Sequence, residues 1–176
     1  MCLDADATMG PYRIDGMTWG GLRDERPDLA EAGRGLLYQF GVGLAFLATV
    51  RREGGPRVHP MCPVLTDDGL FAFIVPSPKR NDLLRDGRYA MHAFPADDNE
   101  DAFSVTGTAE RREESDLVGS LATQYLDERK LTTPPDGFQE HALFEFLIEG
   151  CLLTRTTGHG DPHPVHTVWK AAEQTP

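Results

Sequence analysis

Apolar and polar residues alternate through FSVTGTAER (103–111). Phe103, Val105, Gly107 and Ala109 fall on one side; Ser104, Thr106, Thr108 and Glu110 fall on the other. A period of two is that of a strand with one face buried. Similar strand-like runs occupy LAFLATVR (44–51), RVHPMCPVL (57–65), GLFAFIV (69–75), RYAMHAF (88–94), LFEFLIEGCLLTR (143–155) and VHTVWK (165–170). The links EGGP (53–56) and TDDG (66–69) have the length and turn chemistry of hairpins. Pro60 and Pro63 cannot donate to a ladder, so the 57–65 strand is expected at an edge, bulged or only half-paired. Two segments repeat at helical spacing instead. PDLAEAGRGLLYQFG (27–41) carries Leu29, Leu36, Leu37 and Phe40 on one stripe, and 115–129 carries Leu117, Val118, Leu121, Ala122, Tyr125 and Leu126. Residues 1–26 are polar and Gly-rich and read as a loosely ordered arm ahead of a single domain, 27–176. Successive antiparallel strands with flanking helices predict a mainly β fold, a small barrel with α decoration.

Composition narrows the function. A chain of 176 residues with 40% hydrophobic content can bury one core. Its formal net charge of −11 argues against nucleic acid or an anionic membrane surface as partner. Three cysteines (Cys2, Cys62, Cys151), without a CxxC spacing, suit a reduced cytoplasmic protein better than a disulfide scaffold. The opening MCLDADATMG lacks the plan of a signal peptide. No apolar run approaches the ~18 residues of a membrane span. A soluble, cytoplasmic protein acting on a small molecule is the expectation.

The stretch IVPSPKRNDL (74–83) sets its charges against the helix it starts. Ser77 is a capping residue and Pro78 fits the first helical position, so a short helix is expected from Ser77 to a stop at Gly87. Yet Lys79 and Arg80 then occupy the first turn, where each meets the positive end of the helix dipole at a cost of roughly 0.3–1 kcal/mol. A bound phosphate would reverse that sign, because free N–H groups at a helix start and charged side chains both favour an anion. Ser77 could add its hydroxyl. Arg57, on a strand expected to pair with 69–75, could reach the same place. The alternative is a pair of solvated cations offset by Asp82 and Asp86.

The order LATV (47–50), GPRVHP (55–60), FAFIVPSPKRNDLLRD (71–86) and VTGTAE (105–110), with a weaker match at HTVWK (166–170), resembles the pyridoxamine 5′-phosphate oxidase-related proteins. The resemblance covers about residues 36 to 112. It implies a flavin-binding split β-barrel, antiparallel and Greek-key-like with flanking helices, and an oxidoreductase that binds FMN. Carried over residue by residue, it implies that Arg57, Lys79 and Arg80 hold the cofactor phosphate beside Ser77. Arg57, Val58, His59 and Pro60 would run along the flavin, Ile74 and Val75 would face it, and Trp169 would pack by the ring. Positive charge from Arg57 would favour an anionic reduced flavin. Some relatives bind the deazaflavin F420, whose binders carry an asparagine after the basic pair; here Asn81 or Asp82 stands there. Others bind haem, and a non-catalytic carrier or sensor is a further alternative. The tail TRTTGHGDPHPVHTVWKAAEQTP does not match the arginine- and histidine-rich substrate segment of true pyridoxamine phosphate oxidases, so vitamin B6 oxidation is not implied. The family also implies a homodimer with its cofactor between subunits. Here the two prolines of 57–65 and the apolar runs LFAFIV and LFEFLI agree with an interface.

Other clusters point less far. His159, His163 and His166 lie close in sequence, but in a Gly/Pro-rich loop without a cysteine at ligand spacing, so no metal is expected. Cys62 and His92 read as packing residues on strands. Glu113 and Glu114 read as a solvated helix start that suits the dipole.

Overall fold

The computed structural model describes residues 16–172. Its elements are α1 (Trp19–Glu25), α2 (Pro27–Leu37), β1 (Ala45–Val50), β2 (Pro56–Met61), β3 (Val64–Leu65), β4 (Leu70–Ile74), α3 (Pro78–Arg85), β5 (Arg88–Ala93), β6 (Ala102–Arg112), α4 (Ser115–Glu128), β7 (Ala142–Arg155) and β8 (Val165–Lys170), with a 3-10 turn at Phe138–Glu140. All strand pairs are antiparallel. The sheet order is β2-β1-β5-β6-β7-β4-β3, and β8 pairs with β7. The two ends of that order, β2 and β3, are consecutive in the chain and joined only by Cys62 and Pro63. The sheet must therefore curl until its edges meet without pairing, which is what makes the barrel split.

The expected 57–65 strand is thus two strands. Pro63 cannot donate to a ladder, and the chain changes partner there. β2 pairs with β1, with Arg57 opposite Thr49, and β3 pairs with β4. Arg57 accordingly does not lie on a strand paired with 69–75. β7 is long enough to serve two neighbours along one edge: Ala142–Glu145 pair with β4, and Gly150–Arg155 pair with β8. Where β6 meets β7 the register shifts at Thr106/Gly107, and any Cβ on Gly107 would run into the Leu147 carbonyl. A glycine is needed for that approach.

The core fills the barrel with Leu47, Leu70, Ile74, Met91, Phe103, Val105, Phe144 and Phe146, and α1 and α2 close one end with Trp19, Leu22, Leu29, Leu36 and Leu37. Phe40 lies beyond the end of α2 and is largely exposed, so the expected stripe is one residue shorter than the pattern suggested. The expected loose arm also stops short of Arg26. Thr18 caps α1 by accepting from the Gly21 amide, and Trp19 is only 1% exposed. Residues 1–15 lie outside the described part. β4 is buried on both faces, because Phe71 and Phe73 on its outer side pack under α4 with Val64, Leu121 and Leu143. Among the described residues, no helix is long and apolar enough to cross a membrane.

Candidate functional site: the start of α3

α3 begins where the sequence predicts. Ser77 has extended backbone and its Oγ accepts from the Arg80 amide at 3.4 Å while donating to the Val75 carbonyl at 2.9 Å. Gly87, at φ +78, follows the last turn, a conformation glycine adopts without strain. The free amides are fewer than a generic helix start offers. Pro78 has no N–H, the Arg80 amide goes to Ser77 Oγ, and the Asn81 amide goes to the Ser77 carbonyl at 3.2 Å. Only the Lys79 amide remains, so an anion here would depend on cationic side chains more than on backbone.

Those side chains are placed around the helix on two flanks. Lys79 and Asp82 are three residues apart and share one face. On that face Asp82, 4% exposed, accepts from Thr49 Oγ1 at 3.0 Å and from Arg57 Nε at 2.8 Å through Oδ2, and from Arg85 Nη1 at 3.1 Å through Oδ1. Arg85 also donates to the Val50 carbonyl. Arg57 thereby reaches α3, but through Asp82 and from β1's side of the barrel. On the other flank Arg80 Nη1 donates to the Glu140 carbonyl at 2.8 Å, tying α3 to the 3-10 turn before β7. His141 follows that turn. Burial lowers its pKa most, and the Arg80 charge adds to the effect, while Glu140 opposes it. His141 was not identified from sequence; no local motif marks it.

The charges are unbalanced in an informative way. Most arginines of this acidic chain sit in ion pairs, including Arg57 and Arg85 with Asp82. Among the described residues, Lys79 and Arg80 form none. Burial pulls the Lys79 ammonium below its ordinary pKa, with the neighbouring Cys62 acting in the opposite direction. Burial is also the largest influence on Asp82 and works to raise its pKa, but the bonds from Arg57, Arg85 and Thr49 together hold it below the usual carboxylate value. The arrangement contains two half-desolvated or dipole-opposed cations without an ion-pair partner among the described residues, beside a third held in place by a buried carboxylate.

The remaining expected site residues separate. On β2, Arg57 and His59 lie opposite Thr49 and Leu47, whose side chains point into the barrel. Val58 and Pro60 point the other way, with Ala48 and Phe46. Ile74 is buried in the core, so its side chain cannot face a ligand and only Val75 of that pair is exposed. Trp169 pairs with Cys151 on β7, whereas Ile74 pairs with Ala142, leaving roughly 30 Å of strand between them at ~3.3 Å per residue. Within one chain Trp169 does not join the α3 site. It is buried, and its indole N–H donates to Glu25 Oε1 at 2.8 Å, fastening β8 to α1. The tail histidines also make separate contacts: His166 with Thr154 Oγ1 and His159 with the Asp97 carbonyl.

No protein-family sequence model matches the chain, and no curated protein sequence does. Solved structures do resemble it. A haem-binding protein from Mycobacterium smegmatis superposes with a TM-score of 0.57 at 17% identity, over 81% of this chain and 58% of that protein, so the chain spans well under two thirds of its length. An F420 reductase gives 0.52 at 22% identity over 61% of this chain and 87% of its own. A Listeria innocua protein provisionally described as a pyridoxamine 5′-phosphate oxidase gives 0.56 at 12% identity over 68% and 93%. The chain has the split-barrel fold of the pyridoxamine 5′-phosphate oxidase-like proteins. Among these neighbours one is described as haem-binding and another as an F420 reductase, so the fold alone does not assign a ligand.

Proposed function

We propose that the protein is an FMN-binding oxidoreductase that holds the FMN phosphate at the start of α3. The observation that carries this reading is the pair Lys79 and Arg80, without ion-pair partners among the described residues and set against the helix dipole. Their placement is unfavourable by roughly 0.3–1 kcal/mol each. A charge-assisted bond of ~1.5–3 kcal/mol to phosphate outweighs it. Ser77 and Arg57 complete the set. Bound there, the flavin supplies hydride or electron transfer, and the chain binds and orients it. Val75 and the exposed edge of β2 are the surfaces that can lie along it. Titration with FMN, F420 and haem, followed by absorbance and fluorescence, tests the reading. FMN is expected to bind with shifted flavin bands; binding of F420 or haem with none of FMN overturns it.

A homodimer belongs to the same proposal. The runs LFAFIV and LFEFLI, expected to leave surplus apolar surface, are instead largely buried by the barrel interior and α4, apart from Val75. The surplus lies elsewhere. An outward row crosses six strands, Pro60–Phe46–His92–Ser104–Leu152–Val168, each residue opposite the next in register. Phe46 stacks on Phe94 at 4.3 Å, and Val58 and Val168 are 59% and 61% exposed. Apolar exposure of this kind on a broad sheet face marks an interaction surface, and a two-fold interface is the commonest way to cover one. Sedimentation should show a dimer that Val168→Glu dissociates, with FMN affinity falling alongside. A wild-type monomer with full FMN occupancy would sink this part. A cytoplasmic setting completes the reading; Cys62 and Cys151 are unpaired thiols.

A further inference from the structure

Asp82 has no direct place in the phosphate site, yet it is the most buried charge near it. Its carboxylate gathers Thr49 from β1, Arg57 from β2 and Arg85 from its own helix. The division of Arg57's nitrogens is specific. Nε is taken by Asp82, and the two terminal nitrogens have no hydrogen-bond partner among the described residues. Arg57 stands on an edge strand that pairs only with β1, where a long side chain would otherwise sample many rotamers. Fixing Nε restricts the side chain and leaves the outer fork without a partner among the described residues, and a fork is the form in which a guanidinium grips a phosphate. One carboxylate is shared between Arg57 and Arg85, so the group keeps a net positive charge and remains attractive to an anion. Lys79 lies on the same helix face, three residues earlier.

We infer that Asp82 is a positioning residue that orients Arg57 toward an anion at the start of α3. This rests on the phosphate reading above. The alternative is a carboxylate that only fastens α3 to β1 and β2, and the two roles separate by experiment. Asp82→Asn keeps the shape and removes the charge. It should lower the preference for FMN over riboflavin at least tenfold, with riboflavin affinity nearly unchanged, because only FMN carries the anion. Combined with Arg57→Ala, it should add nothing to the loss that Arg57→Ala causes alone, since Asp82 acts through that side chain. Thr49→Val, a milder change to the same cluster, should give a smaller loss of the same sign if Asp82→Asn does not fold. A readout independent of any flavin is the Arg57 Nε–H resonance of labelled protein, slow to exchange in the wild type and fast in Asp82→Asn. An unchanged Arg57 resonance, or equal losses for both flavins, would overturn the positioning role. A wild type that binds FMN no better than riboflavin would overturn the phosphate reading instead, while the resonance would still decide the role of Asp82.

Discussion

Replacing Lys79 and Arg80 together by alanine is expected to weaken FMN binding by roughly a hundredfold, while riboflavin affinity stays within about threefold. On the proposed reading each side chain contributes a charged hydrogen bond of ~1.5–3 kcal/mol to phosphate, and each ~1.4 kcal/mol is a factor of ten. The same substitutions have a second effect of opposite sign. Lys79 makes no ion pair among the described residues and both cations oppose the helix dipole, so their removal should leave the unliganded protein as stable as before or slightly more so. Arg80 complicates this in one respect. Its Nη1 bond to the Glu140 carbonyl is lost as well, which loosens the turn ahead of β7. Lys79→Ala alone is therefore the cleaner variant, and it should cost at least tenfold in FMN affinity with no loss of stability. Isothermal titration with both flavins, beside urea denaturation of the unliganded protein, reads both effects. Equal losses for FMN and riboflavin would show that the pair does not touch phosphate.

What could be read from the chain follows the range of the interactions involved. Ser77 and Pro78 define the start of α3 through contacts within four residues, and that helix begins where its sequence predicts. The alternation Phe103–Val105–Gly107–Ala109 is likewise local and emerges as the buried face of β6. Pairing is different. Pro60 and Pro63 signal an edge or interrupted strand, but nothing between Arg57 and Pro63 states which partner follows, because the choice depends on how the sheet curls to bring β2 and β3 round to one another. Asp82 shows the same limit at the site. Read along the chain it is an acidic neighbour that offsets Lys79 and Arg80, whereas in the fold it turns to Thr49 and Arg57, more than twenty residues away. The outward row was also out of reach. Pro60, Phe46, His92, Ser104, Leu152 and Val168 come from six strands, and only their register makes them one surface. α1 was missed for a further reason: WGGLRDE holds two glycines, which disfavour helix, and just two large apolar residues. Its stability comes from what Trp19 and Leu22 touch, not from propensity.

That contact carries the last prediction. Trp19→Ala is expected to destabilise the protein by ~3–5 kcal/mol, the range for deleting a buried aromatic. Trp19 is almost wholly buried and meets Phe103 edge to face, with ring centres 6.1 Å apart and planes at 77°. Phe103 in turn fills the space over Gly33 of α2, where a Cβ would clash with its ring. Removing the indole therefore opens a void at the junction of α1, α2 and β6, and the rigid sheet beneath cannot collapse to fill it. The bond that the Gly21 amide donates to Thr18 Oγ1 and the bridge between Met17 and Ile148 would hold α1 in place beside that void. For a chain of this size, each kcal/mol lowers the melting temperature by about 2–4 °C, so a fall of roughly 6–20 °C is expected. Urea denaturation should give a lower midpoint with an unchanged slope, the signature of lost stability without a change in the surface exposed. A loose, dispensable arm predicts instead a change within ~0.5 kcal/mol, as for an ordinary surface substitution. That smaller result would mean that α1 does not belong to the core.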